Sequence, residues 1–118
     1  MSGDRETAST PEDITRLFVE RVNAGDAEGA AELYAPDAVM AYPPGRLTVG
    51  RNAIRGVLES MVAAGAHLEV ETPLPTIRCG DVALTSTPSK DGRGNRVQVV
   101  RQQGNGSWVR IIDRPEAN

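Results

Sequence analysis

Apolar residues recur at helical spacing as far as Gly65, and beyond it the period changes to two. Thr10-Pro11-Glu12-Asp13 is a helix start: a threonine cap, a proline suited to the first turn, and acids at the positive end of the dipole. Ile14, Leu17, Phe18 and Val22 then fall on one face, and Gly25 stops the helix. Asp26 caps a second, short, alanine-rich helix predicted over residues 27–34, which Pro36 ends. Residues 38–42 read as a strand broken by Pro43-Pro44-Gly45, with a brief extended return at Leu47 and Val49. Ala53, Ile54, Val57, Leu58, Met61 and Val62 mark a third amphipathic helix after Gly50, with Gly65 as its stop.

The alternating region begins with residues 67–72, which read as a half-buried strand; Pro73 and Pro75 then imply a bulge or an edge. Further strands are predicted at 77–79, 82–87, 96–102 and 108–113. A turn at Gly80-Asp81, a loop at 90–94 and a hairpin through Gly104-Asn105-Gly106 join them. Helices with one early strand pair, followed by consecutive strands, specify an α+β fold with a mostly antiparallel sheet. Such a sheet curls around the helices and leaves a cavity. Residues 1–10 are polar and small and read as a disordered tail, so the single domain is expected over 11–115.

The chain has 118 residues, enough for one core without staples. A net charge of −3 and the lack of a basic, aromatic-interleaved stripe argue against nucleic acid or an anionic membrane as partner. No apolar run spans a bilayer, and the first residues lack the apolar centre of a signal peptide, so a cytoplasmic location is expected. Cys79 is the sole cysteine and His67 the sole histidine; no intrachain disulfide and no Cys/His zinc site is expected, and no cofactor is implied. Cys79 reads as a small apolar residue. Aromatics are scarce, so Phe18, Tyr34, Tyr42 and Trp108 each matter to the core or a pocket.

Several segments resemble the nuclear transport factor 2-like superfamily of SnoaL-like cyclases and ketosteroid isomerases: Asn23-Ala24-Gly25-Asp26, Tyr34-Ala35-Pro36-Asp37-Ala38, Tyr42-Pro43-Pro44-Gly45 with Gly50 and Ile54, and Gly106-Ser107-Trp108 with Asp113. The C-terminal pattern is also similar to small bacterial proteins near the SgcJ-like group. The resemblance covers roughly residues 11–115 and implies a cone of sheet and helices around a pocket. It specifies the fold and not a reaction. Aligned on these segments, Phe18 stands where ketosteroid isomerases have an oxyanion tyrosine, Tyr42 where they have the base, and Gln98 where they have a second aspartate. Steroid isomerisation by that mechanism is therefore not expected.

Strand parity gives the pocket. Tyr42 shares a face with Met40, and Gln98 with Val100 and Gln102. In the last strand Val109, Ile111 and Asp113 are expected on one face, with Trp108, Arg110 and Ile112 on the other. The predicted walls are Phe18, Met40, Tyr42, Gln98, Val100, Ile111 and Asp113, with Trp108 either a ligand wall or a core or dimer residue. Such a pocket is mostly apolar and suits a small apolar or polyketide-like molecule. Asp113 is the candidate acid–base; alternatively it pairs with Arg110 or Arg114, or caps the sheet end in solvent. Tyr42 either donates to a ligand carbonyl or fills the core. His67 beside Glu69 and Glu71 reads as exposed, and Asp37 as a turn residue. Arg96 and Arg101 suggest a wet or self-pairing outer face.

Three functions fit: a cofactor-free isomerase, cyclase or dehydratase; a non-catalytic ligand binder; or a dimeric interaction module. A homodimer through the sheet face is expected in each.

Overall fold

The computed structural model describes residues 5–89 and 94–115. Helix α1 spans Pro11–Asn23 and α2 Ala27–Ala31; β1 is Tyr34–Met40, β2 Thr48–Val49 and α3 Arg51–Ala63. Strands β3 Ile77–Cys79, β4 Val82–Pro88, β5 Asn95–Gln102 and β6 Trp108–Arg114 follow. They form one six-stranded sheet in the order β2-β1-β6-β5-β4-β3, parallel only between β1 and β6 and not closed on itself. The fold is α+β, with the helices on the concave side.

Local chemistry accounts for the helices. The Thr10 side chain accepts a hydrogen bond from Asp13 N, with Pro11 in the first turn; Ile14, Leu17 and Val22 are buried. Asp26 caps α2 by accepting from Gly29 N at 2.9 Å. A Cβ at Gly29 would stand 2.2 Å from the Asp26 carboxylate, so only glycine fits that cap. Ile54 and Leu58 of α3 are fully buried against β1 and α2 in a cluster with Ala30, Ala38, Met40 and Val109. A second cluster joins Ala8, Ile14, Leu17 and Leu33 to Ala83, Val100 and Trp108 of the sheet, and Phe18 packs against both.

Four expectations change. Helix α2 ends at Ala31 and not near Tyr34, because Leu33 and Tyr34 pair with β6: Arg110 N donates to Leu33 O at 2.8 Å. Pro36, expected as a helix terminator, lies inside β1. There the register against β6 shifts between Tyr34 and Val39, the irregularity a residue without an N–H demands. Residues 67–72 form no strand. Their alternation reflects two environments, since Leu68 packs on the helical cluster while Val70 is 80% exposed. Residues 5–9 are held by the domain and are not a free tail: Ala8 is buried, its carbonyl accepts from Trp108 N at 2.9 Å, and Arg5 pairs with Asp26 and Glu32. The first residues of the expected tail, and most of the expected 90–94 loop, lie outside the described residues.

Candidate functional site

Register across the sheet builds the site. On the concave face Tyr34, Arg110, Val100 and Ala83 form one row of Cα partners. Met40, Asp113, Gln98 and Thr85 form the next. The two rows are brought together by a bulge in β6. Val99 opposes Ile112, but Val100 opposes Arg110, which leaves Ile111 without a partner. The extra residue inverts the parity expected from the sequence. Trp108, Arg110 and Asp113 face the concavity together, and Ile112 is 51% exposed on the outer face.

Asp113 is 2% exposed, which excludes a solvent-facing sheet cap. Tyr34 Oη donates to its Oδ2 at 2.6 Å and Gln98 Nε2 to its Oδ1 at 3.0 Å. Arg110 Nη1 donates to Tyr34 Oη at 3.1 Å and stands 3.8 Å from Asp113 Oδ2. Thr85 Oγ1 donates to Gln98 Oε1 at 3.2 Å, which fixes the amide so that its nitrogen faces the carboxylate. The Arg110 guanidinium stacks 4.6 Å over Phe18 and 5.5 Å over Tyr34, and those rings meet edge to face at 6.2 Å. These contacts offset part of the cost of a buried cation.

Burial pushes the Tyr34 phenol far above its ordinary value, and the Asp113 charge pushes it further. Tyr34 therefore keeps its proton and can only donate toward Asp113 while accepting from Arg110. Burial alone would lower the Arg110 guanidinium; the Tyr34 oxygen and the Asp113 carboxylate outweigh it and hold it raised.

This network forms one wall of an open cavity of about 740 Å³, within the usual range for small-ligand sites. Phe18, Met40, Tyr42, Leu58 and Met61 make its apolar part, and Gln98, Arg110 and Asp113 its polar wall. Of the predicted walls, Val100 and Trp108 do not line it; both are buried in the second core cluster. Ile111, displaced by the bulge, packs against the first cluster instead. Trp108 carries the Arg78 guanidinium 5.0 Å over its ring, which is a structural contact. Arg96, expected on the outer face, lines the cavity and pairs with Glu71; Arg101 is exposed. His67 is exposed and lines the cavity, and Asp37 is exposed. Among the described residues no group of His, Cys, Asp and Glu is arranged to hold a metal, and no helix is long and apolar enough to cross a membrane.

The sequence pattern leaves Tyr34 and Arg110 out of the site. Helical spacing takes in Tyr34, and unbroken strand parity puts Arg110 on the opposite face. The usable signal is Arg110 itself, an arginine inside the run Trp108-Val109-Arg110-Ile111-Ile112, because a buried guanidinium requires a partner.

A SnoaL-like domain model matches residues 15–113, and the chain belongs to that family. The epoxide hydrolase LasB of Streptomyces lasalocidi is 31% identical over 108 residues, spanning 83% of this chain and 38% of LasB. The chain thus spans well under half of that relative. A ketosteroid isomerase-like protein from Erwinia carotovora atroseptica superposes with a TM-score of 0.68 at 16% identity, covering 87% of this chain and 89% of that one. A candidate dehydratase of the nuclear transport factor 2-like family from Streptomyces avermitilis superposes with a TM-score of 0.70 at 16% identity, covering 91% and 94%. At these identities the two structures share the fold with this chain, and nothing finer.

Proposed function

We propose that this protein is a cofactor-independent acid–base enzyme acting on an oxygen-bearing, mostly apolar small molecule, by isomerisation, cyclisation, dehydration or epoxide opening. The observation that carries it is the Asp113 carboxylate, buried at the cavity wall and held by directional donors. Asp113 would accept a proton from a carbon acid, a hydroxyl or a water in the cavity. Tyr34 and Gln98 orient the carboxylate, and Arg110 fixes Tyr34 as donor. Tyr42, which lines the apolar side, would donate to an oxygen that gains negative charge. The name of the LasB relative supports epoxide opening, and that of the Streptomyces avermitilis neighbour supports dehydration.

The test is turnover of a panel of apolar epoxides and β-hydroxy ketones. Asp113→Asn should lower turnover by about 10²-fold or more, and Tyr42→Phe by a smaller factor. Unchanged turnover in both variants removes the site. If the wild type binds a ligand but converts nothing, and Asp113→Asn binds it equally, the chain is a carrier.

We also propose a homodimer through the outer sheet face. Ile77, Leu84, Val99, Ile112, Val39 and Val49 are successive Cα partners, one on each strand, and form a continuous aliphatic row across the sheet. Ile77, Val49 and Ile112 are 68%, 64% and 51% exposed. An apolar row of this length needs cover.

A further inference from the structure

Residues 66–76 join no strand or helix. They pass along the cavity, and His67, Leu68, Glu69 and Glu71 line it. Val70, between them, is 80% exposed, so the outer side of the segment faces solvent. At one end Asn23 clasps the Leu68 backbone, donating to its carbonyl and accepting from its N–H, both at 2.8 Å. At the other, Leu74 N donates to Ser86 O at 2.9 Å. Between these anchors the Glu71 carboxylate meets the Arg96 guanidinium.

The two partners of that ion pair are held differently. Arg96 sits on β5, opposite Thr87 of β4, in a strand flanked on both sides by others. Glu71 sits on backbone without ladder hydrogen bonds. The Arg96 side chain is 40% exposed and that of Glu71 12%. A newcomer that breaks the pair therefore keeps Arg96 and displaces Glu71. The group that replaces a carboxylate on a guanidinium is another carboxylate, which offers the same planar pair of acceptors.

We propose that Glu71 is a built-in stand-in for a carboxylate of the ligand. It holds residues 66–76 against the cavity until an apolar carboxylic acid takes Arg96 and frees the segment. This rests on the cavity being the ligand site proposed above, and it narrows the ligand to an acid. Arg96 and Gln98 lie two residues apart on β5, about 7 Å along the strand, and Gln98 opposes Asp113. The acid would thus place its reacting oxygen near Asp113 with its carboxylate about 7 Å away. A cationic ligand would instead pair with Glu71 and leave the segment in place.

The test measures binding of decanoate, decanol and decylamine to the full chain by calorimetry, with amide exchange of residues 68–72 followed alongside. Wild type should prefer decanoate. Glu71→Gln should raise the preference for decanoate over decanol by about tenfold; Arg96→Gln should bring decanoate down to the level of decanol. Exchange at 68–72 should quicken in Glu71→Gln without ligand, and in wild type with decanoate. Equal binding of acid and alcohol to wild type, a preference for the amine, or an Arg96→Gln variant that still prefers the acid overturns the proposal. Binding is read without turnover. A chain that selects the acid but converts nothing loses only the acid–base assignment; one that converts substrate but binds acid and alcohol alike loses only the Glu71 latch. If none of the probes binds, the Glu71 latch falls, and the acid–base assignment rests on the turnover panel alone.

Discussion

The hydroxyl of Tyr34 lies 2.6 Å from Oδ2 of Asp113, across 79 residues of chain, and both side chains are buried. A phenol held protonated by burial and by the neighbouring carboxylate forms with it a pair of fixed donation direction. Arg110 completes it by donating to the same phenol oxygen at 3.1 Å. Arg110 thus stands beside both members of the pair, 3.8 Å from Asp113 Oδ2.

Tyr34 gives this pair a signature at alkaline pH. Its folded-state pKa lies above the ordinary value of 10.0. Below about pH 10 the folded and unfolded chains both keep the proton, and Tyr34 adds no pH dependence. Above that pH the unfolded chain releases a proton that the folded chain retains. Stability then falls as pH rises, by up to about 1.4 kcal/mol per unit from this one group. Tyr34→Phe should lack that component of the slope, and at neutral pH it should lose about 1–3 kcal/mol through the missing donor. Urea midpoints from about pH 9 to about pH 11 measure both effects. Equal alkaline slopes in the two proteins would show that Tyr34 is not held protonated.

Arg110 and Asp113 should be strongly coupled. Arg110→Met leaves a buried carboxylate without its cation and should cost about 3–5 kcal/mol. Asp113→Asn in the same chain should return much of that loss, because the amide carries no charge to strand. A double-mutant cycle in urea gives the interaction directly. Additive losses would mean that the ion pair, at 3.8 Å, contributes nothing beyond its separate side chains.

Much of this architecture is legible in the sequence alone. Thr10-Pro11 and the spacing of Ile14, Leu17 and Val22 specify α1, Ile54 and Leu58 specify α3, and the glycine turns specify the hairpins, since local chemistry decides each of them. The features that the sequence hides depend on distant partners. Nothing near Ile111 announces a bulge, yet that one residue decides that Arg110 and Asp113 share a face. Tyr34 follows an alanine-rich run and reads as helix until pairing with β6 claims it. The alternation at 67–72 is real, but it separates cavity from solvent and does not mark a ladder. Asp113, Gln98 and Met40 line the cavity because they are Cα partners in one row across the sheet; Phe18 lines it from the inner face of α1, and Tyr42 from just beyond the end of β1. Val100, Ile111 and Trp108 do not, because helical packing and the bulge claim them first.

The outer row predicts how the chain associates. Ile112 is central to it, opposite Val99 on one side and Val39 on the other, and is 51% exposed. Ile112→Glu places a charge in the middle of the proposed interface and leaves the concave site untouched. Sedimentation should show a dimer for wild type and a monomer for the variant, with unchanged far-ultraviolet circular dichroism. A wild-type monomer at micromolar concentration, or a variant that stays dimeric, would assign the row to something other than self-association.

The bulge supplies the sharpest structural test. Removing Ile111 would let β6 pair regularly with β5, since Ile111 is the residue left without a partner between Val99–Ile112 and Val100–Arg110. Arg110 and Asp113 would then stand two residues apart, so unbroken alternation keeps both on the concave face with their present partners Val100 and Gln98. The deletion should lose stability, because the Ile111 side chain leaves the first core cluster. It should keep the Tyr34–Asp113 pair, and with it turnover and the extra alkaline stability slope tied to Tyr34. Leucine or valine at position 111 keeps the residue count and should retain both properties with a smaller loss of stability. A folded deletion variant that loses both turnover and the alkaline slope would show that the bulge itself is needed to bring Asp113 to the cavity.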